Sequence, residues 1–109
     1  MTKVVDARYR GSTVDAESGE TILVRLDETP TTGYRWALEH VDEQVLEAEG
    51  SEFQLPPNAA IGAAGQRTFV FKARSRGTGR ISLRLWREWE GMSSVTDRFE
   101  VSVRIEERA

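Results

Sequence analysis

The chain has 109 residues, of which 30% are charged and 39% apolar, with a formal net charge of −3 and no cysteine. That length supports one core of two packed layers and excludes a second, and the composition is too apolar for intrinsic disorder. Without cysteine there is no disulfide framework, thiol nucleophile or thiolate metal site, and no apolar run approaches the roughly 18 residues that a membrane-spanning helix requires.

In chain order, Met1 to Asp6 lacks the apolar segment of an export signal, so a cytoplasmic location is expected if Met1 is the native start. An edge strand is predicted at about 12–17, around Thr13 to Ala16, followed by the turn Ser18-Gly19. Ile22, Val24 and Leu26 then alternate with polar or outward positions and mark a strand over 20–28. Tyr34, Trp36 and Leu38 mark another over 34–40, in which Trp36 is expected to pack between the layers. The stretch 45–54 reads as a weaker strand, although Val41, Val45 and Leu46 also fit a short helical turn.

Phe69 and Phe71 place a strand at 66–73, and Ile81, Leu83 and Leu85 place another at 79–86. The sharpest alternation is last, where Phe99, Val101, Val103 and Ile105 interleave with charged or polar residues in a strand over 95–105. About seven short antiparallel strands separated by Gly, Pro and Ser punctuation predict an all-β, immunoglobulin-like β-sandwich forming a single domain over 1–109. A small barrel is the alternative.

If successive strands run up and down, the connections at 29–34, 55–65 and 87–94 emerge at one end. The opposite end receives Ser18-Gly19, the acidic link after His40 and Arg76-Gly77-Thr78-Gly79, which read as plain turns. The first cluster is unusual in its chemistry. Thr29-Pro30-Thr31-Thr32-Gly33-Tyr34 combines a fixed φ at Pro30 with a glycine able to take positive φ, and serves either as a tight strand connection or as a rigid recognition turn. Gly62-Ala63-Ala64-Gly65 is a flexible bridge without the spacing or the strand-to-helix context of a phosphate loop. Arg87-Glu88-Trp89 carries a tryptophan beyond the alternating run, where such a residue is a typical interface anchor.

No catalytic set can be assembled. The sole histidine, His40, belongs to the opposite end, and Asp27, Glu28, Glu88, Glu90 and Asp97 have no spacing specific to an acid/base pair or a metal, so they read as solvated charge. The residues Arg67, Lys72, Arg74, Arg76, Arg80, Arg84 and Arg87 form an uninterrupted basic series, read as solvated strand faces rather than as a nucleic-acid site. The expectation is a binding protein, not an enzyme: a monomer with no cofactor, no metal, no nucleic acid and no membrane as partner.

The three loops resemble those of the chagasin-type inhibitors of papain-like cysteine peptidases, and the likeness runs over nearly the whole chain. That family carries Asn-Pro-Thr-Thr-Gly-Tyr, Gly-x-Gly-Gly and Arg-Pro-Trp in this order on an immunoglobulin-like sandwich. Pro30 to Tyr34 fits the first motif, Gly62 to Gly65 most of the second, and Arg87 and Trp89 two positions of the third. The resemblance implies a reversible, tight-binding, non-covalent inhibitor of a papain-like cysteine peptidase, occluding the cleft with loops 29–34, 62–65 and 87–91. It also implies roles: Thr31 and Thr32 cover the catalytic thiol, Arg87 and Trp89 pack on one side, and Gly62 to Gly65 contact the other. Three departures stand out: Thr29 for Asn, Ala64 for Gly and Glu88 for Pro. They leave a diverged, non-inhibitory interaction module as the alternative.

Overall fold

The structure, a computed structural model, describes residues 1–108. Eight strands follow in order: β1 (Thr2–Val5), β2 (Thr13–Glu17), β3 (Thr21–Glu28), β4 (Arg35–Val41), β5 (Leu46–Gln54), β6 (Gly65–Ala73), β7 (Gly77–Trp86) and β8 (Asp97–Glu106). They form two four-stranded sheets, ordered β1-β3-β6-β5 and β2-β8-β7-β4. The sandwich of the sequence reading is present, with one additional strand. β1 was not anticipated because four residues are too few to display a period; it is placed by parallel pairing with β3, where fully buried Val5 lies opposite Val24. The strands are also not all antiparallel, since β2 pairs with β8 in parallel through Val14↔Val103.

The inward positions are those that alternation selects. Ile22, Val24, Phe69 and Phe71 from one sheet face Ile81, Leu83, Phe99, Val101 and Val103 from the other, and all are buried. Trp36 is 7% exposed, as a core tryptophan should be. The ambiguous segment resolves as a turn leading into a strand. Val45 N–H (3.2 Å) and Leu46 N–H (3.0 Å) both donate to Asp42 O, after which β5 begins with buried Leu46. Much of the basic series is compensated: Arg67, Arg80 and Arg84 pair across strands with Glu28, Glu100 and Glu39, and Arg87 pairs within its own loop with Glu90.

One carboxylate behaves contrary to expectation. Glu28, read as a solvated charge, is 4% exposed and ties the two sheets together. Its Oε1 accepts the backbone N–H of Trp36 at 2.7 Å, and its Oε2 accepts Arg67 Nη2 at 2.9 Å. Trp36 reciprocates, its indole Nε1 donating to Asp27 O at 3.0 Å, while the Arg67 guanidinium lies 5.3 Å from the centroid of the Phe53 ring. A buried carboxylate with a charged partner and a backbone donor is satisfied, but removing it leaves a guanidinium and an N–H without partners. Glu28→Ala is therefore expected to cost about 3 to 5 kcal/mol of stability in denaturant titration, and Glu28→Gln, which keeps an acceptor for Trp36, to cost less.

At the other end, Asp42 accepts Arg80 N–H at 2.7 Å and lies 2.8 Å from His40 Nε2. The Arg80 amide first, then His40, hold its carboxyl below the ordinary value of 3.8. A depressed folded value means that the ionised form favours folding: the contribution is complete above the ordinary aspartate value and is lost as pH falls through the folded one. Asp42→Asn should flatten the acid limb of a stability-versus-pH curve measured by denaturant titration at a series of pH values.

Candidate functional site

Strand register brings the three loops to one end. Glu28 at the end of β3 is opposite Gly65, Gln54 at the end of β5 is opposite Gln66, and Arg35 at the start of β4 is opposite Trp86. The β3–β4 connection also crosses between the sheets, so the first loop sits over the sandwich seam.

That loop is closed from within. Thr29 is extended (φ −108°, ψ 107°), Pro30 to Thr32 make one turn of 3-10 helix with proline at the position that suits its fixed φ, and Gly33 ends it at φ 78°. Gly33 N–H donates to Pro30 O at 3.0 Å. Thr32 supplies the bracing: its N–H (3.2 Å) and hydroxyl (2.8 Å) both donate to Thr29 O, and the same hydroxyl accepts Tyr34 N–H at 3.2 Å. The Thr29 hydroxyl makes no capping bond, so the departure at this position leaves the turn intact. Thr31 is exposed at its apex.

The third loop has a similar build. Arg87 is extended, Glu88 to Glu90 form one 3-10 turn, and Met92 to Ser94 form another. Ser94 Oγ accepts Arg87 N–H at 3.0 Å and donates to Gly91 O at 2.6 Å, fastening the loop to its own base. Glu88 occupies the first helical position, where proline is also well suited, so its presence removes a constraint without distorting the backbone.

The first and third loops are joined into one body. Arg87 donates to Thr32 O through Nε (3.1 Å) and Nη2 (3.0 Å), while its guanidinium carbon sits 4.4 Å from the centroid of the Tyr34 ring. The Trp89 ring lies along Gly33, where a Cβ would come within 2.7 Å of Cη2, yet the side chain remains 72% exposed. Arg87 is thus turned inward as a brace, and Trp89 outward as a presented surface.

The second loop is less tied down. Ala63 N–H donates to Ala60 O at 3.1 Å, and Asn58 takes positive φ (58°), a conformation asparagine tolerates. Gly62 is at φ 84°, whereas Ala64 stays out of that region, so the alanine carries no backbone strain of the left-handed kind. Gly65 is not part of the exposed loop. It is the buried first residue of β6, and a Cβ there would lie 2.4 Å from Gln54 O and 2.6 Å from the Phe53 ring. It shapes the loop's root rather than its surface.

Two kinds of residue escaped the sequence reading. Ile61 stands fully exposed beside Gly62, and Leu55 and Met92 are exposed in the second and third loops. The available signal was the stretch Leu55 to Ala64, which contains no ionisable residue although it is loop. Glu28 and Arg67, which hold the loop roots, gave no local signal. Of the other carboxylates considered, Asp97 pairs with Arg10 at 3.0 Å; the imidazole of His40 lies with Asp42 at the opposite end.

With that geometry in view, the profile of the chagasin family peptidase inhibitors I42 matches residues 15–103. The chain belongs to the chagasin family of peptidase inhibitors. It is 29% identical over 106 residues to chagasin of Trypanosoma cruzi, covering 93% of this chain and 96% of that relative. The fold of this chagasin-family chain is similar to that of the cysteine protease inhibitor EhICP2 from Entamoeba histolytica, with a TM-score of 0.82, 21% identity and coverage of 96% and 95% of the two chains. It is also similar to PbICP-C in its complex with falcipain-2, with a TM-score of 0.64, 14% identity and coverage of 97% and 90%. These structural likenesses concern the sandwich; the loop motifs are carried by the sequence.

The coupling of the two loops makes Gly33 a sensitive position. Gly33→Ala should cost about 1 to 2 kcal/mol from positive φ and displace the Trp89 ring, to be seen as a lower denaturation midpoint together with a shifted indole resonance for Trp89.

Proposed function

We propose that this protein is a reversible, tight-binding inhibitor of papain-like cysteine peptidases that occludes the active-site cleft with the edge formed by loops 29–34, 62–65 and 87–91. The observation that carries this reading is the joined first and third loops, in which a closed turn and a largely exposed tryptophan are held in fixed relation by Arg87. Membership of a peptidase-inhibitor family supports it, as do the inhibitor EhICP2 and the PbICP-C complex with falcipain-2 on the same fold.

The physical basis is preorganisation. A loop that is already ordered loses little conformational entropy on docking, and a helical turn closed by its own hydrogen bonds offers no extended segment for cleavage. The apex at Thr31 and Thr32 would lie over the catalytic thiol, Trp89 would pack on one wall, and Gly62, Ala63 and Ala64 with Ile61 would meet the other. Pro30 and Gly33 set the turn, Tyr34 and Arg87 brace it, and Thr29, Glu88 and Gly65 frame the loops. The three departures from the family pattern are accommodated locally, which favours inhibition over a diverged, non-inhibitory module.

Titration of a papain-like peptidase with the purified protein should abolish activity at one equivalent, with the inhibitor recovered uncleaved. Trp89→Ala should weaken binding by about 2 to 4 kcal/mol, or roughly 30- to 1,000-fold. Absence of inhibition at micromolar protein across several such peptidases would overturn the proposal.

A further inference from the structure

The loop edge is almost devoid of charge. Thr29 to Tyr34 and Leu55 to Ala64 contain no acid or base other than the Tyr34 phenol, so the ionised groups of the three loops are Arg87, Glu88 and Glu90. Arg87 is committed to Thr32 O and the Tyr34 ring, and Glu90 lies 3.4 Å from Arg87 Nη1. Glu88 is exposed and, among the described residues, its carboxylate has neither an ion pair nor a hydrogen bond. Arg35, the exposed cation at the start of β4, makes no ion pair with it; it precedes inward-facing Trp36 and therefore lies on the outer face of its sheet. An otherwise neutral, partly apolar edge thus presents one uncompensated negative charge, directly beside its most exposed aromatic side chain.

Resting on the inhibitory reading above, we infer that Glu88 is a specificity-determining residue, selecting peptidases whose cleft wall facing the third loop carries a lysine or arginine. Because Glu88 is the chain neighbour of Trp89, docking of the indole carries the carboxylate into the interface rim. A carboxylate drawn partly out of water gains when a cation faces it and is penalised when an acid does. At the rim the effect falls mainly on association rate and on its salt dependence. Proline at this position would bring no charge, so an uncharged loop could not discriminate in this way. A purely local role for Glu88 is small, because a turn from Glu88 to Glu90 aligns too few peptide dipoles to reward a charge at its start.

The test uses the whole chain as wild type, Glu88→Gln and Glu88→Lys. Association rates and inhibition constants are measured against two papain-like peptidases, one with a basic and one with an acidic residue on that wall, at about 50 and 300 mM salt. Toward the basic-walled peptidase, Glu88→Gln should slow association about three- to tenfold and Glu88→Lys more, with the difference shrinking at high salt. Toward the acidic-walled one the order should reverse. Unchanged rank order and salt dependence overturn the inference, as does an equal loss toward both peptidases accompanied by lower stability, which would make Glu88 a loop support. If wild type inhibits neither, nor any further papain-like peptidase, the inhibitory reading fails and the inference with it. Inhibition without charge discrimination defeats the inference alone.

Discussion

The buried carboxylate of Glu28 is the constraint on which the loop edge depends. It sits at the last residue of β3, accepts the first buried backbone N–H of β4 from the facing sheet and pairs with Arg67 of β6. Both roots of the first loop are therefore fixed by one side chain, and the reciprocal bond from the Trp36 indole to Asp27 O closes the arrangement. A short connection between two sheets could pivot if it hung from apolar contacts alone, since these have no directional preference. Directional bonds to a buried charge hold the angle at which the chain leaves β3 and enters β4. The Pro30 to Thr32 turn inherits that angle.

Above this tie the edge divides into a rigid part and a looser one. The first and third loops share Arg87, which spans two segments far apart in sequence through Thr32 O and the Tyr34 ring, so neither can move far without the other. The second loop is held at its root by buried Gly65 and closes a turn of its own between Ala60 and Ala63. Such a combination suits a cleft whose walls differ among peptidases. In the proposed mode of binding, the closed turn and Trp89 would form a fixed wedge, and the uncharged second loop, tied by fewer hydrogen bonds, would meet one wall. Its exposed Ile61 adds apolar area of the kind that an interface buries, typically about 800 Å² on each partner.

The departures from the family pattern have different consequences. Thr29 loses nothing that the turn needs, because the bracing hydroxyl belongs to Thr32. Ala64 occupies ordinary backbone space, and the close approach that demands glycine falls at Gly65. Glu88 differs in kind: it preserves the backbone but changes the electrostatics of a surface that is otherwise neutral. A substitution that keeps φ and ψ and adds an exposed charge changes what the loop presents to a partner, and specificity is a difference of affinities between partners.

The sequence by itself determined the strands from Thr13 onward, except over 45–54 where a helical turn fitted as well, together with the alternating inward faces and the three unusual loops. One-sided burial imposes a period of two on residues such as Phe99 to Ile105, and proline and glycine punctuate by fixing or freeing φ. The loop motifs were equally legible, because a turn built from Pro30, Thr32 and Gly33 is a local object whose bonds span few residues. Tertiary structure alone decided the remainder. β1 exists because β3 offers it a parallel partner, Glu28 is buried because Arg67, 39 positions away, neutralises it, and Arg87 turns inward because Thr32 O, 55 positions away, accepts its hydrogen bonds. A charged side chain looks the same in a sequence whether water or a distant partner solvates it, and only the packed chain brings that partner within hydrogen-bond reach.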